Sequence, residues 1–97
     1  MAKYIVFEGT EGVGKTTQTQ KLVDYLRDKN YKVLQTKEPG ISCLPVTMKL
    51  REIMLSKEYD DQLTIVSKEL ISQAIRSIHL EKLIYPSLPT HDFIIQD

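Results

Sequence analysis

The chain predicts an α/β fold, a parallel sheet flanked by helices. Three features predict it. Short apolar runs alternate with helix-compatible stretches along the 97 residues, and strand–helix–strand units make neighbouring strands parallel. A glycine-rich turn joins the first apolar run to the first helical stretch, where such sheets place their ligands. Polar residues also cluster where each apolar run ends.

The elements follow in order. Residues 3–8 predict a buried strand, because Tyr4, Ile5, Val6 and Phe7 stand together without a polar residue. Residues 16–28 predict a helix, with Leu22, Val23 and Leu26 on one face and Lys21, Asp24, Arg27 and Asp28 elsewhere. Asn30 supplies a left-handed stop. Residues 32–36 predict a second strand, and Glu38-Pro39-Gly40 a turn. Pro45 suits a first helical turn, and Val46, Leu50, Ile53 and Met54 extend that helix to about residue 56. Residues 57–62 are charged and polar and predict a loop. A long helix is expected over residues 63–84, ended by Pro86 and Pro89, and a third strand over residues 92–97.

The turn carries the clearest chemistry. Residues 9–16 read Gly-Thr-Glu-Gly-Val-Gly-Lys-Thr and fill every fixed slot of a phosphate-binding loop. Gly9, Gly12 and Gly14 lack a Cβ, so backbone N–H groups can converge on an anion. The helix that follows adds its positive dipole end. Lys15 would place an ammonium on the β- and γ-phosphates, and Thr16 would offer its hydroxyl to Mg²⁺. The nucleotide-binding candidates are therefore Gly9, Thr10, Gly12, Val13, Gly14, Lys15, Thr16 and Thr17. Glu11 is a carboxylate inside an anion-binding loop, where like charge is unfavourable unless it points away. Its chemistry suits either a sugar hydroxyl of a second substrate or a solvated loop position.

The polar clusters at the run ends are this loop, Lys37 with Glu38, and Asp97. The long helix has two faces: Leu70, Ile71, Ala74, Ile75 and Ile78 form a core stripe, while Glu69, Ser72, Arg76 and His79 lie on the other side. The second face reads either as a solvated surface or as a second-substrate pocket. Arg76 suits the pocket best, since guanidinium offers a planar fork of donors. His79 is expected at a pocket rim or on the surface rather than as a general base.

Composition bounds the rest. Thirteen basic residues balance 13 acidic ones, which gives no basic footprint for nucleic acid. The single cysteine, Cys43, has no thiol to pair with, and no stretch approaches a membrane span, so a cytoplasmic setting is expected.

Several of these segments together resemble the thymidylate kinase family. Residues 7–18 are similar to that family's opening, Lys37-Glu38-Pro39-Gly40 to its Arg-Glu-Pro-Gly turn, and Leu50-Arg51 to its arginine-bearing helix. The stretch from Arg76 through His79 to Pro86 resembles its thymine-holding helix, and Phe93-Ile94-Ile95-Gln96-Asp97 the strand before its Asp-Arg pair. The resemblance implies a P-loop NTPase-type fold and transfer of the γ-phosphoryl of ATP to dTMP, with ATP and Mg²⁺ as cofactors. It assigns Lys15 and Thr16 to ATP phosphates and Mg²⁺, Glu11 to the sugar of the monophosphate, and Arg51 to the acceptor phosphate. It assigns Arg76 to the thymine edge and Asp97 to the metal or acceptor region. Lys15, Glu11 and Asp97 are then the catalytic candidates, Thr16 and Asp97 the metal candidates, and Glu11, Glu38, Arg51, Ser72 and Arg76 the substrate-binding candidates.

This chain departs from the family pattern at named places. Lys37 replaces a common arginine, Ile41 a second glycine, and Ser72 an aromatic ring that stacks on thymine. Gly12 stands where one branch carries a catalytic arginine, so the chain resembles the branch that takes its arginine from a lid. The match spans the chain but only the N-terminal half of a typical member. The lid and C-terminal part are expected outside these 97 residues, leaving the isolated chain with weak phosphate binding and little transfer. Family members are often homodimers, so a dimer is implied as well. Two other readings stay open: another deoxynucleoside or nucleoside monophosphate kinase, and a noncatalytic nucleotide-binding fragment.

Overall fold

The computed structural model describes residues 1–9 and 14–97. The chain divides into two compact units, one formed by Met1–Lys37 with Ile84–Asp97 and the other by Glu38–Leu83.

The first unit is built on three parallel strands, β1 (Lys3–Val6), β2 (Val33–Thr36) and β3 (Phe93–Gln96), in the order β1-β3-β2. The connection from β1 to β2 skips one position, and β3 fills it. Pairing is in register, with Ile94 opposite both Tyr4 and Leu34, and Ile95 opposite Ile5 and Gln35. Helix α1 (Lys15–Asp28) supplies one layer. Its Val23 and Leu26 meet Val33 and Ile95, with Ile5, Phe7, Leu22 and Phe93 packed around them. Each fully buried aliphatic side chain here contributes roughly 1.5–3 kcal/mol. The α1 stop is as expected: Asn30 has φ 67°, its N–H donates to Arg27 O, and the Tyr31 N–H donates to Leu26 O. These are the two bonds of a left-handed helix cap.

The expectation of a buried first strand is corrected. Tyr4 is 37% and Val6 44% exposed, while Ile94 and Ile95 are fully buried. β1 lies at an edge of the described sheet and β3 at its centre, so position in the sheet decides burial more than apolar content does.

The second unit is helical. It contains α2 (Pro45–Leu55), a 3₁₀ turn at Asp60–Gln62 and α3 (Ile65–His79). Pro45 occupies the first turn of α2 as expected. Thr64 caps α3: its hydroxyl accepts from the Ser67 N–H while the Ser67 hydroxyl accepts from the Thr64 N–H. That reciprocal pair satisfies two otherwise unpaired donors.

The helix expected after Pro45 forms, with Thr47 as its buried residue and Val46 and Ile53 exposed. Two other helix expectations are corrected. On α3, Leu70 is 65% exposed and Ala74 also faces solvent, so the buried positions are Ile75 and His79. Pro86 does not end the helix. A π turn at Leu80–Ile84 leads into a short helix α4 (Tyr85–Ser87) that contains Pro86. The wider π spacing relieves the clash between a proline ring and the carbonyl four residues back. Backbone bonds to the Ile84 and Tyr85 carbonyls then close the segment at Leu88.

Candidate functional site

The predicted site residues fall into two groups, one in each unit. In the first unit, the ladder continues beyond the strand ends. The Phe7 N–H donates to Gln96 O at 2.8 Å, and the Asp97 N–H donates to Thr36 O at 3.0 Å. Asp97 is thereby tied to the carboxyl edge of the sheet. Helix α1 starts at the same edge, where Gly14 is its N-cap with φ 78°. Among the described residues nothing lies within 4 Å of a Cβ built on Gly14, and its left-handed φ itself favours glycine.

Lys15 Nζ and Asp97 Oδ1 are 3.3 Å apart, with the side chains 24% and 19% exposed. The catalytic candidates Lys15 and Asp97 therefore meet although they come from opposite ends of the chain. Thr16 and Thr17 lie exposed on the first turn of α1, which has no acidic residue and no side-chain cap. The first intrahelical bond runs from the Gln18 N–H to Gly14 O at 3.0 Å. A helix start carries N–H groups without intrahelical partners and a positive dipole end, both of which suit an anion. Gly9 follows β1 at φ 153°. Thr10, Glu11, Gly12 and Val13 lie outside the described residues, and so do the expectations that rest on them.

Buried polar residues brace this edge. Thr19, fully buried, donates its hydroxyl to Lys15 O at 2.7 Å and so locks the first turn that carries Lys15. Gln96, 7% exposed, accepts from the Tyr4 hydroxyl. Sequence reasoning missed both. The only available signal was a polar residue inside an otherwise apolar pattern.

The second unit gathers Glu38, Arg51 and Arg76. Glu38 Oε2 lies 3.6 Å from Arg76 Nε, and Glu38 Oε1 lies 3.1 Å from His79 Nδ1. A carboxylate only accepts, so Nδ1 carries the proton and donates. The Glu38 side chain is 16% exposed and Arg76 55%, which leaves the guanidinium reachable from solvent. His79 is 1% exposed, which corrects the expectation of a rim or surface position. Ile75 and His79 lie about 40° apart on a helical wheel, and Arg76 and His79 about 60°, so spacing alone allowed either face.

The Glu38-Pro39-Gly40 turn is held on α2. A Cβ on Gly40, whose φ is +80°, would come within 3.1 Å of Met48 Sδ, 3.2 Å of Arg51 Cδ and 3.3 Å of Thr47 O. Arg51 is therefore packed directly beneath the turn. Thr47, fully buried, accepts from the Ile41 N–H at 3.0 Å and donates to Leu44 O at 2.6 Å. Ser72 lies one turn before Arg76 on α3 and lines an open hollow of about 620 Å³ with Met54, Leu55, Lys57, Ile65 and Lys68.

Among the described residues, no group of three His, Cys, Asp or Glu side chains forms a metal cage. Among the same residues, no helix is long and apolar enough to cross a membrane.

Comparison with known proteins gives a consistent result. The family model described as Thymidylate kinase matches residues 7–97. Thymidylate kinase of Sulfurihydrogenibium sp. is 37% identical over 97 residues, covering 100% of this chain and 46% of the relative. Thymidylate kinase of Mesoplasma florum is 42% identical over 94 residues, covering 97% of this chain and 43% of the relative. The crystal structure of thymidylate kinase from Ehrlichia chaffeensis superposes with a TM-score of 0.83 at 33% identity, covering 99% of this chain and 53% of that one. The chain spans about half the length of the relatives it matches. The fold is therefore of the P-loop NTPase type, here a parallel sheet flanked by helices. With its phosphate-loop sequence set between β1 and α1 and its profile match over nearly every residue, the chain belongs to the thymidylate kinase family.

Proposed function

We propose that this chain is the N-terminal part of a kinase that transfers the γ-phosphoryl of ATP to dTMP, giving dTDP and ADP. The observation that carries the proposal is the meeting of Lys15 and Asp97, 3.3 Å apart, at the carboxyl edge of the sheet beside an uncapped helix start. Phosphoryl transfer asks chiefly for positioning and charge neutralisation, and this edge brings together a cation, a carboxylate and the start of a helix.

In this reading Lys15 binds the β- and γ-phosphates, supported by the N–H groups of Gly14, Thr16 and Thr17 and by the loop residues Gly9, Thr10, Gly12 and Val13. Thr16 and Asp97 would hold Mg²⁺, which supplies neutralisation of phosphate charge. Glu38, Arg51 and Arg76 serve the acceptor nucleotide: Arg51 its phosphate and Arg76 its base edge. Glu11 takes the sugar. Lys15 and Glu38 carry opposite formal charges, as ligands of an anionic tail and of a donor-bearing neighbour require.

Ser72 favours a second reading of the acceptor, as another nucleoside monophosphate. It stands where the family commonly places an aromatic ring that stacks on thymine, and a serine offers no such stacking. Transfer to dTMP, dUMP, dGMP and thymidine, measured with the full-length protein, separates the readings. Preference for dTMP supports the proposal, and equal rates across the monophosphates support the broader one. ATP binding without transfer to any of them would leave only a nucleotide-binding protein. The isolated 97 residues are expected to bind ATP weakly and transfer little. The homodimer belongs to the same proposal and is measured by sedimentation velocity. A cytoplasmic location, supported by the lone exposed Cys43, belongs to it too.

A further inference from the structure

We infer that His79 is a positioning residue for the acceptor site, acting through Glu38 on Arg76. The inference deepens the proposed function and rests on it for the identity of the ligand. His79 is 1% exposed, and a buried imidazole without a partner is unfavourable. Its Nδ1–H is directed at Glu38 Oε1 at 3.1 Å, across 41 residues of sequence. The other oxygen of the same carboxylate faces Arg76 Nε at 3.6 Å. One carboxylate is thus held at both ends, by a buried donor on one side and a half-exposed guanidinium on the other.

The geometry restricts Arg76 in a useful way. An arginine side chain has several rotatable bonds, and ordering it on binding opposes affinity. An ion pair through Nε draws the guanidinium toward Glu38 and leaves its two terminal nitrogens to form a fork toward an acceptor. The pairing works only while Glu38 keeps its orientation, and Glu38 follows a strand end in a turn rather than lying on a helix. His79 supplies the rigidity. It sits on the same helix as Arg76, three residues on, so both contacts to Glu38 come from one stiff element. Neither residue need touch the reacting phosphates. His79 sets the direction of a binding group and takes no part in proton transfer.

The test uses the full-length protein and two variants. His79→Leu puts an apolar side chain of similar volume in its place and removes the donor. His79→Asn keeps an N–H donor near the Nδ1 position. Calorimetry with dTMP, and separately with a nonhydrolysable ATP analogue, reads each pocket by itself. His79→Leu should weaken dTMP about tenfold and leave the ATP analogue within about twofold, and His79→Asn should recover most of the loss. Equal losses for both ligands, with Asn no better than Leu, would mean that His79 only supports the fold, and the inference is overturned. Unchanged dTMP affinity in His79→Leu overturns it as well. A wild-type protein that binds no dTMP at all refutes the proposed function. In that case the Nε–H resonance of Arg76 still decides: a shift in His79→Leu that His79→Asn restores supports the positioning role, and no shift removes it.

Discussion

The two units hold charge in different ways. In the sheet unit the charged pair Lys15 and Asp97 sits on rigid ends, a helix start and a strand end, and the backbone itself fixes where each one points. In the helical unit Glu38 and Arg51 border an irregular turn, and side-chain contacts from His79 and Thr47 hold that turn in place. Backbone-built sites tolerate change in neighbouring side chains, whereas a site built from side chains depends on each supporting hydrogen bond. Variants in the two units should therefore fail differently.

The largest effect is expected at Lys15. Lys15→Ala removes the ammonium but leaves the loop and helix start intact, so turnover of the full-length protein should fall about 10²–10³-fold. Thermal stability should also fall modestly, because Asp97, 19% exposed, loses the cation beside it. Steady-state kinetics together with a melting curve check both halves, and normal turnover would remove the phosphate assignment. Arg76→Ala comes next. It should raise the KM for the monophosphate about 10–100-fold with the KM for ATP unchanged, as loss of a charge-assisted contact does. If ATP suffers instead, the roles of the two units are exchanged.

These two residues also show how much could be read from sequence. Lys15 announces itself, because an apolar run, Gly9, Gly12 and Gly14, and the Lys-Thr pair follow one another within residues 4–16 in the order a phosphate loop requires. The helices, the α1 cap at Asn30 and the three strands were legible for the same reason: each rests on local pattern. Arg76 could be singled out by its chemistry, but its partner Glu38 lies far away in sequence. His79 and Thr47 were misjudged or missed because a helical wheel ranks polar residues as surface. His79 turns inward toward Glu38, 41 residues away, and Thr47 toward the turn at Ile41, and neither partner leaves a periodic trace in sequence. Burial of β1 failed similarly, since nothing in four apolar residues says which strand will be central.

Thr47→Val probes that hidden support directly. The new side chain fits the same volume but leaves the Ile41 N–H and Leu44 carbonyl without the hydroxyl. Urea unfolding of the full-length protein should show about 1–3 kcal/mol lost, because the affected groups are buried. Gly40→Ala attacks the same turn from the backbone. A left-handed φ of +80° disfavours alanine by about 1–2 kcal/mol, and its methyl would press on Thr47 O and Arg51 Cδ. Binding of the monophosphate should weaken alongside stability, since Arg51 must shift to make room. Stability lost without any change in that binding would separate Arg51 from the acceptor site.

The smallest effect should come from an ion pair that resembles the others only on paper. Lys49 Nζ and Glu52 Oε2 are 3.7 Å apart on α2, with side chains 78% and 71% exposed. Water screens such a pair, and ordering two long side chains offsets most of the attraction, so Lys49→Ala should change stability by less than about 0.5 kcal/mol. Activity should be unaffected. The Glu38 pairings differ from this one in burial, at 16% exposure for the shared carboxylate. If Lys49→Ala proved as damaging as Arg76→Ala, burial and the His79 contact would not be what gives Glu38 its leverage. The contrast between a side-chain-built and a backbone-built site would then need another basis.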